Sequence, residues 1–261
     1  MTNKNSKRKI KSADRTVDIL EELYKNKKPR SLSELADATG LATSTVHTYL
    51  STLKERGFVR QSGQRYQLGY SFIPIGECVK HRHKLYRAGR DVINELSEET
   101  KEDTHLVIED QNQMLILYEA YGEKKTGLRN HEKKREEYLD HLHCTSSGKA
   151  LLAFLPEKRV REIFEERGLP QSTSSTITDL EALLDELAEI REQGYAINDQ
   201  EEIQGLRAVG APIRDKNGDS VGAISVSGPA HRLSGDQLRD RLPEQVMSSA
   251  NAIEIEYRSF E

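Results

Sequence analysis

The chain has 261 residues, 35% hydrophobic and 31% charged, with a net charge of −4, which suggests two modest domains. No run approaches the roughly 18 apolar residues of a membrane span, and the basic start, Met1–Lys11, has no apolar core behind it to make a secretory signal. The two cysteines, Cys78 and Cys144, form no CxxC pair and no disulfide framework, so a cytoplasmic chain is expected.

The charge is unevenly spread. Residues 1–90 carry 19 Lys+Arg against 8 Asp+Glu, and residues 91–261 carry 20 against 35. Such asymmetry points to a polyanion as partner of the first part, against the plainer reading of a solvated basic tail.

In chain order, Ser12 can cap a helix over Ala13–Tyr24 whose apolar positions, Ala13, Val17, Leu20 and Tyr24, fall on one face. Ser31-Leu32-Ser33-Glu34 reads as a capping box opening a short helix that stops at Thr39-Gly40. A third helix begins near Ala42. Its apolar face is Val46, Leu50 and Leu53, and its other face carries Thr43, Ser44, Thr45, His47, Thr48 and Ser51. Helix, short turn with Gly, helix is the helix-turn-helix layout, and short polar side chains early in the second helix suit close approach to DNA. An ordinary helical hairpin would show the same helices. What separates the two is the next segment: Phe58–Gln61 and Gln64–Leu68 read as strands around Ser62-Gly63, a wing with Arg60 and Arg65 near its tip to meet phosphates or the minor groove.

The run Ser31–Leu68 resembles the winged helix of the IclR family of transcriptional regulators. The resemblance is carried by Ser33-Glu34-Leu35-Ala36, Thr39–His47, Lys54-Glu55-Arg56-Gly57-Phe58-Val59 and Tyr66-Gln67-Leu68-Gly69. The family often has Arg after the Val-His pair, where this chain has Thr48. Ser71–Arg90 reads as a linker helix with an apolar face and a basic end, which in the family joins the domains and packs in a dimer. His81 and His83 diverge by about 200° on such a helix, so they are read as solvated rather than as metal ligands.

The remainder alternates helices and strands. Strands are expected at Thr104–Glu109, Met114–Ala120, Arg207–Arg214 and Ser220–Ser227, the last two joined through Asn217-Gly218. Helices are expected at Gly148–Leu155, Glu157–Arg167, Asp179–Gln193 and Gly235–Tyr257, and Gly122–Asp140 is charged and poorly periodic. The fold class is therefore α+β around an antiparallel sheet. The turn at Ser146 and Ser147 precedes a helix, whose free N–H groups and dipole suit an anion. Ser225 and Ser227 lie two apart on a strand and share a face. Local capping is the competing reading for these serines. Together they suit a small carboxylate or another oxygen-rich, sugar-derived effector.

This half also resembles the family's effector-binding domain, similar to GAF and PAS folds, through His143–Ala153, Gly194-Tyr195-Ala196, Gly205-Leu206-Arg207 and Ala223–Pro229. In members that bind small oxo-acids, the pre-helix turn, an acidic residue, a cysteine and two strand serines surround the ligand. The resemblance carries the turn to Ser146 and Ser147 and the serines to Ser225 and Ser227. The acidic position falls on Asn198, beside Asp199, and the cysteine position on Ala208. Two polar contacts have changed, so the same oxo-acid is not carried over.

The expected organisation is thus a winged helix-turn-helix over 1–70, a linker helix over 71–90 and an effector-binding domain over 91–261. The expected partners are double-stranded DNA, a small-molecule effector and a second copy of the chain, as dimer or tetramer. No cofactor, metal or catalytic residue is expected. Ser147-Gly148-Lys149 lacks the first glycine and the final Ser/Thr of a phosphate loop, and His141, His143 and Cys144 form one tight cluster without a partner pair. The rival reading is a small-molecule enzyme with an appended DNA-binding domain, which needs a catalytic dyad that the sequence does not offer. An adaptor binding an acidic protein would need neither wing nor capping box.

Overall fold

The computed structural model describes residues 10–26, 28–123 and 142–260. The chain folds as two compact units, the first ending at Val79 and the second beginning at Lys80. Most of the charged stretch Gly122–Asp140, and His141 after it, lie outside the described residues.

The first unit contains α1 (Lys11–Lys25), β1 (Arg30–Ser31), α2 (Leu32–Thr39), α3 (Thr43–Glu55), β2 (Val59–Ser62) and β3 (Arg65–Leu68). Its core is Ile19, Leu23, Leu35, Ala36, Val46, Leu50, Leu53, Val59 and Tyr66. The capping box is formed: Ser31 N–H donates to Glu34 Oε2 at 2.6 Å, and Glu34 N–H donates to Ser31 Oγ at 3.2 Å. Gly40 ends α2 at φ 66°, a left-handed backbone that a side chain resists. Val46, Leu50 and Leu53 are the buried face of α3, as their spacing demands.

Helix α1 turns a different face inward from the one its spacing suggests. Ile19 and Leu23 are buried, while Val17 and Tyr24 are exposed. Leu20 belongs to both stripes, and Ile19 and Leu23 are larger aliphatic side chains than Ala13 and Val17 and carry no hydroxyl to desolvate, unlike Tyr24. Ser12 is not the cap; Ile10 holds that position without a side-chain bond. The wing turn is Gly63-Gln64, since Ser62 pairs with Arg65. The short strand β1, which no sequence signal marks, adds to β3 and gives the order β1-β3-β2.

Where a single linker helix is expected over 71–90, two helices form, α4 (Phe72–Arg82) and α5 (Lys84–Thr100). The break is at His83, whose backbone is extended at φ −74°, ψ 122°. Helix α4 buries no side chain, whereas α5 buries Leu85 and Tyr86 from its first turn, so the two answer to different packing demands.

The second unit continues with β4 (Asp103–Asp110), β5 (Gln113–Ala120), a 3-10 turn at Leu142–Cys144, α6 (Ser146–Ala153), α7 (Glu157–Arg167), α8 (Leu180–Gln193), β6 (Ala196–Asp199), β7 (Leu206–Arg214), β8 (Ser220–Pro229) and α9 (Leu242–Arg258). A π-helical turn, Gln237–Arg241, occupies the start of the expected final helix. Strand β6 is an addition to the expected set: its four residues follow Gly194 too closely for an alternation to be recognised. The five strands are antiparallel in the order β5-β4-β8-β7-β6. One face carries Leu106, Val209, Ala211, Ile213, Ile224 and Val226 into a core with α5 and α9. The other carries Val107, Ala196 and Ala223 into a core with α6, α7 and α8. The fold is α+β, with the sheet between two helical layers.

The capping box is the local support of α2. Ser31→Ala is expected to lower the stability of the first unit by about 1 kcal/mol, measured as an earlier transition in denaturant, while Ser33→Ala stays near the parent.

Candidate functional site

On the first unit, Thr43, Ser44, His47 and Thr48 are exposed along α3, and Thr45 is half-buried. Thr48 Oγ1 donates to Ser44 O at 3.0 Å and Ser51 Oγ to His47 O at 2.8 Å, so these two hydroxyls direct their protons to the helix and face outward as acceptors. Arg60, on β2, lies with its guanidinium 3.9 Å from the centroid of the Tyr70 ring, a stacking that holds the charge in one place. Arg65 has an internal partner that its sequence position does not disclose. Its Nη1 donates to Pro29 O at 2.8 Å and to Glu34 Oε2 at 3.2 Å. The same carboxylate accepts from Ser31 N–H, and that bond, more than the arginine charge, holds Glu34 below its ordinary pKa. Arg65 therefore braces the wing against the start of α2, with half of its side chain still exposed.

On the second unit the six predicted effector residues converge. Alternate residues of a strand share a face. Ile224 and Val226 face α5 and α9, so Ser225 and Ser227 face α6. Ser225 stands opposite Gly210 on β7, Ser227 opposite Ala208, and Ala208 opposite Asn198 on β6. A Cβ on Gly210 would come within 2.6 Å of the Ser146 carbonyl carbon and 2.8 Å of the Ser147 nitrogen. The first turn of α6 therefore rests on the sheet next to Ser225, and only a glycine allows it. Thr145 caps this helix, accepting from Gly148 N–H at 3.1 Å. The N–H groups of Ser146 and Ser147 precede any intrahelical acceptor. The Ser147 hydroxyl donates to Met114 Sδ at 3.5 Å, so its backbone rather than its side chain is the group left to face a ligand.

Asn198 is fully buried, and its Oδ1 accepts from Glu201 N–H at 2.9 Å. Its Nδ2 donates to Glu202 Oε2 at 3.5 Å. Asp199 does not replace the missing acid: it is on the other face, where Arg207 grips it at 2.7 and 3.3 Å and holds its carboxyl below the usual range.

Sequence reasoning passes over two features. The first is Lys149, one turn into α6 and completely buried. Its ammonium bonds Glu201 at 2.7 and 2.9 Å and also Glu186. Burial pushes the Glu201 carboxyl up against the pull of that charge. The loop that orients Asn198 is in this way tied to the helix that presents Ser146. The second is His105 on β4, buried, opposite Ser225 on one side and Glu119 on the other. No local signal in the sequence marks it, since β4 mixes Asp103, Thr104, Glu109 and Asp110 with its three aliphatic residues. Among the described residues no cluster of three or more His, Cys, Asp or Glu could hold a metal. Burial pushes the Cys144 thiol up to about 12.

These two surfaces, an exposed helix-turn-helix with a wing and a sheet face roofed by a helix start, describe a DNA-binding regulator. The model of the IclR helix-turn-helix domain matches residues 12–63, and that of the bacterial transcriptional regulator IclR C-terminal domain matches residues 78–255. The chain belongs to the IclR family of transcriptional regulators. It is 39% identical to the probable HTH-type transcriptional regulator ArcR of Halobacterium salinarum, over 97% of this chain and 96% of that one. It is 29% identical to the transcriptional repressor IclR of Escherichia coli, over 95% and 90%. The crystal structure of the Thermotoga maritima IclR superposes with a TM-score of 0.74 at 30% identity, over 95% of this chain and 99% of that one. No described helix is long and apolar enough to cross a membrane.

Removing the Lys149 ammonium would strand two carboxylates, one of them buried. Lys149→Met should cost about 3–5 kcal/mol, read as a fall in the urea midpoint, and adding Glu201→Gln should recover part of it. Cys144 should resist Ellman's reagent in the native protein and react once guanidinium unfolds it.

Proposed function

We propose that this chain acts as a dimer whose α3 helices enter successive major grooves of a pseudopalindromic operator, and that a small carboxylate or sugar-derived effector shifts its DNA affinity. The functional division is a DNA-binding part over 1–70, a linker over 71–90 and an effector-binding part over 91–261, working in the cytoplasm where the DNA is. The observation that carries the effector reading is the convergence of Ser146, Ser147, Asn198, Ala208, Ser225 and Ser227 on one sheet face beneath a helix start. Backbone N–H groups of α6 would take the carboxylate, and Ser225, Ser227 and the Asn198 amide its other oxygens. A negative charge on that amide position would repel such an anion; an amide donates to it.

The DNA contacts divide by chemistry. His47, with Thr43, Ser44, Thr45 and Thr48, would read base edges, and Arg60 and Arg65 would meet the backbone. The ligand alters DNA affinity only by preferring one arrangement of the dimer.

The decisive experiment is a footprint on the intergenic DNA beside the gene, repeated over a salt series and a panel of small organic acids and sugars. A protected pseudopalindrome whose affinity drops steeply with salt and changes with one compound is expected; no sequence-specific protection at low salt would overturn the reading. Arg60→Ala should weaken binding to many sequences alike and reduce the salt slope by about 1, and His47→Ala should change the preferred sequence. Arg65→Ala should weaken binding and also lower the melting temperature, because it removes a brace as well as a charge.

A further inference from the structure

The row of side chains through Ser225 does not end at the predicted site. Across the sheet it runs Ala196, Gly210, Ser225, His105, Glu119, from β6 to β5. Leu106 and Val107 flank the alternation of β4, the first in the core with α5 and α9 and the second in the core with α6, so His105 shares the α6 side with Ser225. Its side chain is 6% exposed, and its Nε2 lies 4.0 Å from Glu119 Oε2. Ser225 is itself buried at 5% exposure. The first turn of α6 sits over Gly210, two strands from His105.

We propose that His105, backed by Glu119, is a further effector-binding residue, and that it selects a carboxylate carrying a hydroxyl at its far end. The inference rests on the effector-site reading above. Two strand spacings separate Gly210 from His105, about 9.5 Å between backbones, so a ligand that bonds at both ends needs a chain of about three or four carbons. The α6 end offers N–H donors to a carboxylate. The β4 end offers an imidazole, which both donates and accepts, with a carboxylate beside it. A neutral hydroxyl satisfies that pair. A second carboxylate would meet the like charge of the half-buried Glu119. An unsubstituted alkyl chain would cover His105 without bonding it.

The test is calorimetric titration of the full chain with the straight-chain acids from propanoate to hexanoate, their terminal-hydroxy forms and the matching dicarboxylates. One terminal-hydroxy acid should bind about tenfold more tightly than the plain acid of the same length and than the dicarboxylate. His105→Phe and Glu119→Gln should each remove that advantage, and where His105→Phe does not fold, by circular dichroism, Glu119→Gln carries the test. A dicarboxylate binding best, or a hydroxyl advantage that survives both substitutions, overturns the inference while leaving the effector site standing. If no acid of any series binds, the effector-site reading fails and this one falls with it.

Discussion

The seating of α6 on the sheet is the constraint on which the second unit depends. Gly210 lets the carbonyl of Ser146 approach β7 where any Cβ would collide, and this places a helix start directly against Ser225. Once the helix is that close, its next turn must carry Lys149 inward, and a buried ammonium needs anionic partners. Glu201 and Glu186 meet that need. The same Glu201 donates its N–H to Asn198 Oδ1, so the seating of one helix is tied to the orientation of the Asn198 amide. Packing and charge compensation follow from one close approach.

The first unit is organised by a comparable sharing of one group. Glu34 closes the capping box of α2 and at the same time receives Arg65 from the wing. One carboxylate thereby couples the helix-turn-helix to the hairpin, while β1 joins the same hairpin by backbone pairing. The exposed face of α3 takes no part in this bracing. Its short polar side chains Thr48 and Ser51 bond to their own helix, which leaves them available to a partner without loss to the core.

The proposed site differs from the pattern that the family resemblance implies. Where the resemblance implies an acid, Asn198 carries a neutral amide bonded to Glu201 and Glu202, and the neighbouring Asp199 is held on the opposite face by Arg207. A cysteine position is filled by Ala208. Changes of this kind alter the polarity of a shared scaffold.

Much of the fold is legible in the sequence by itself. The capping box, the buried face of α3, the wing and four strands of the second unit are written in local periods and turn residues, and these act between residues a few positions apart. The serines and the pre-helix turn can be named for the same reason. What the sequence does not supply are choices among long-range alternatives. Helix α1 has two apolar stripes, and only the partners of Ile19 and Leu23 decide between them. Arg65 reads as a free wing charge in the sequence, and only the tertiary fold sets Glu34 beside it. His105 becomes a neighbour of Ser225 only through strand register, which depends on how β4 and β8, far apart in the chain, come together. Local free energies determine the elements; which side chains meet across them is decided by packing, and packing is a property of the whole fold.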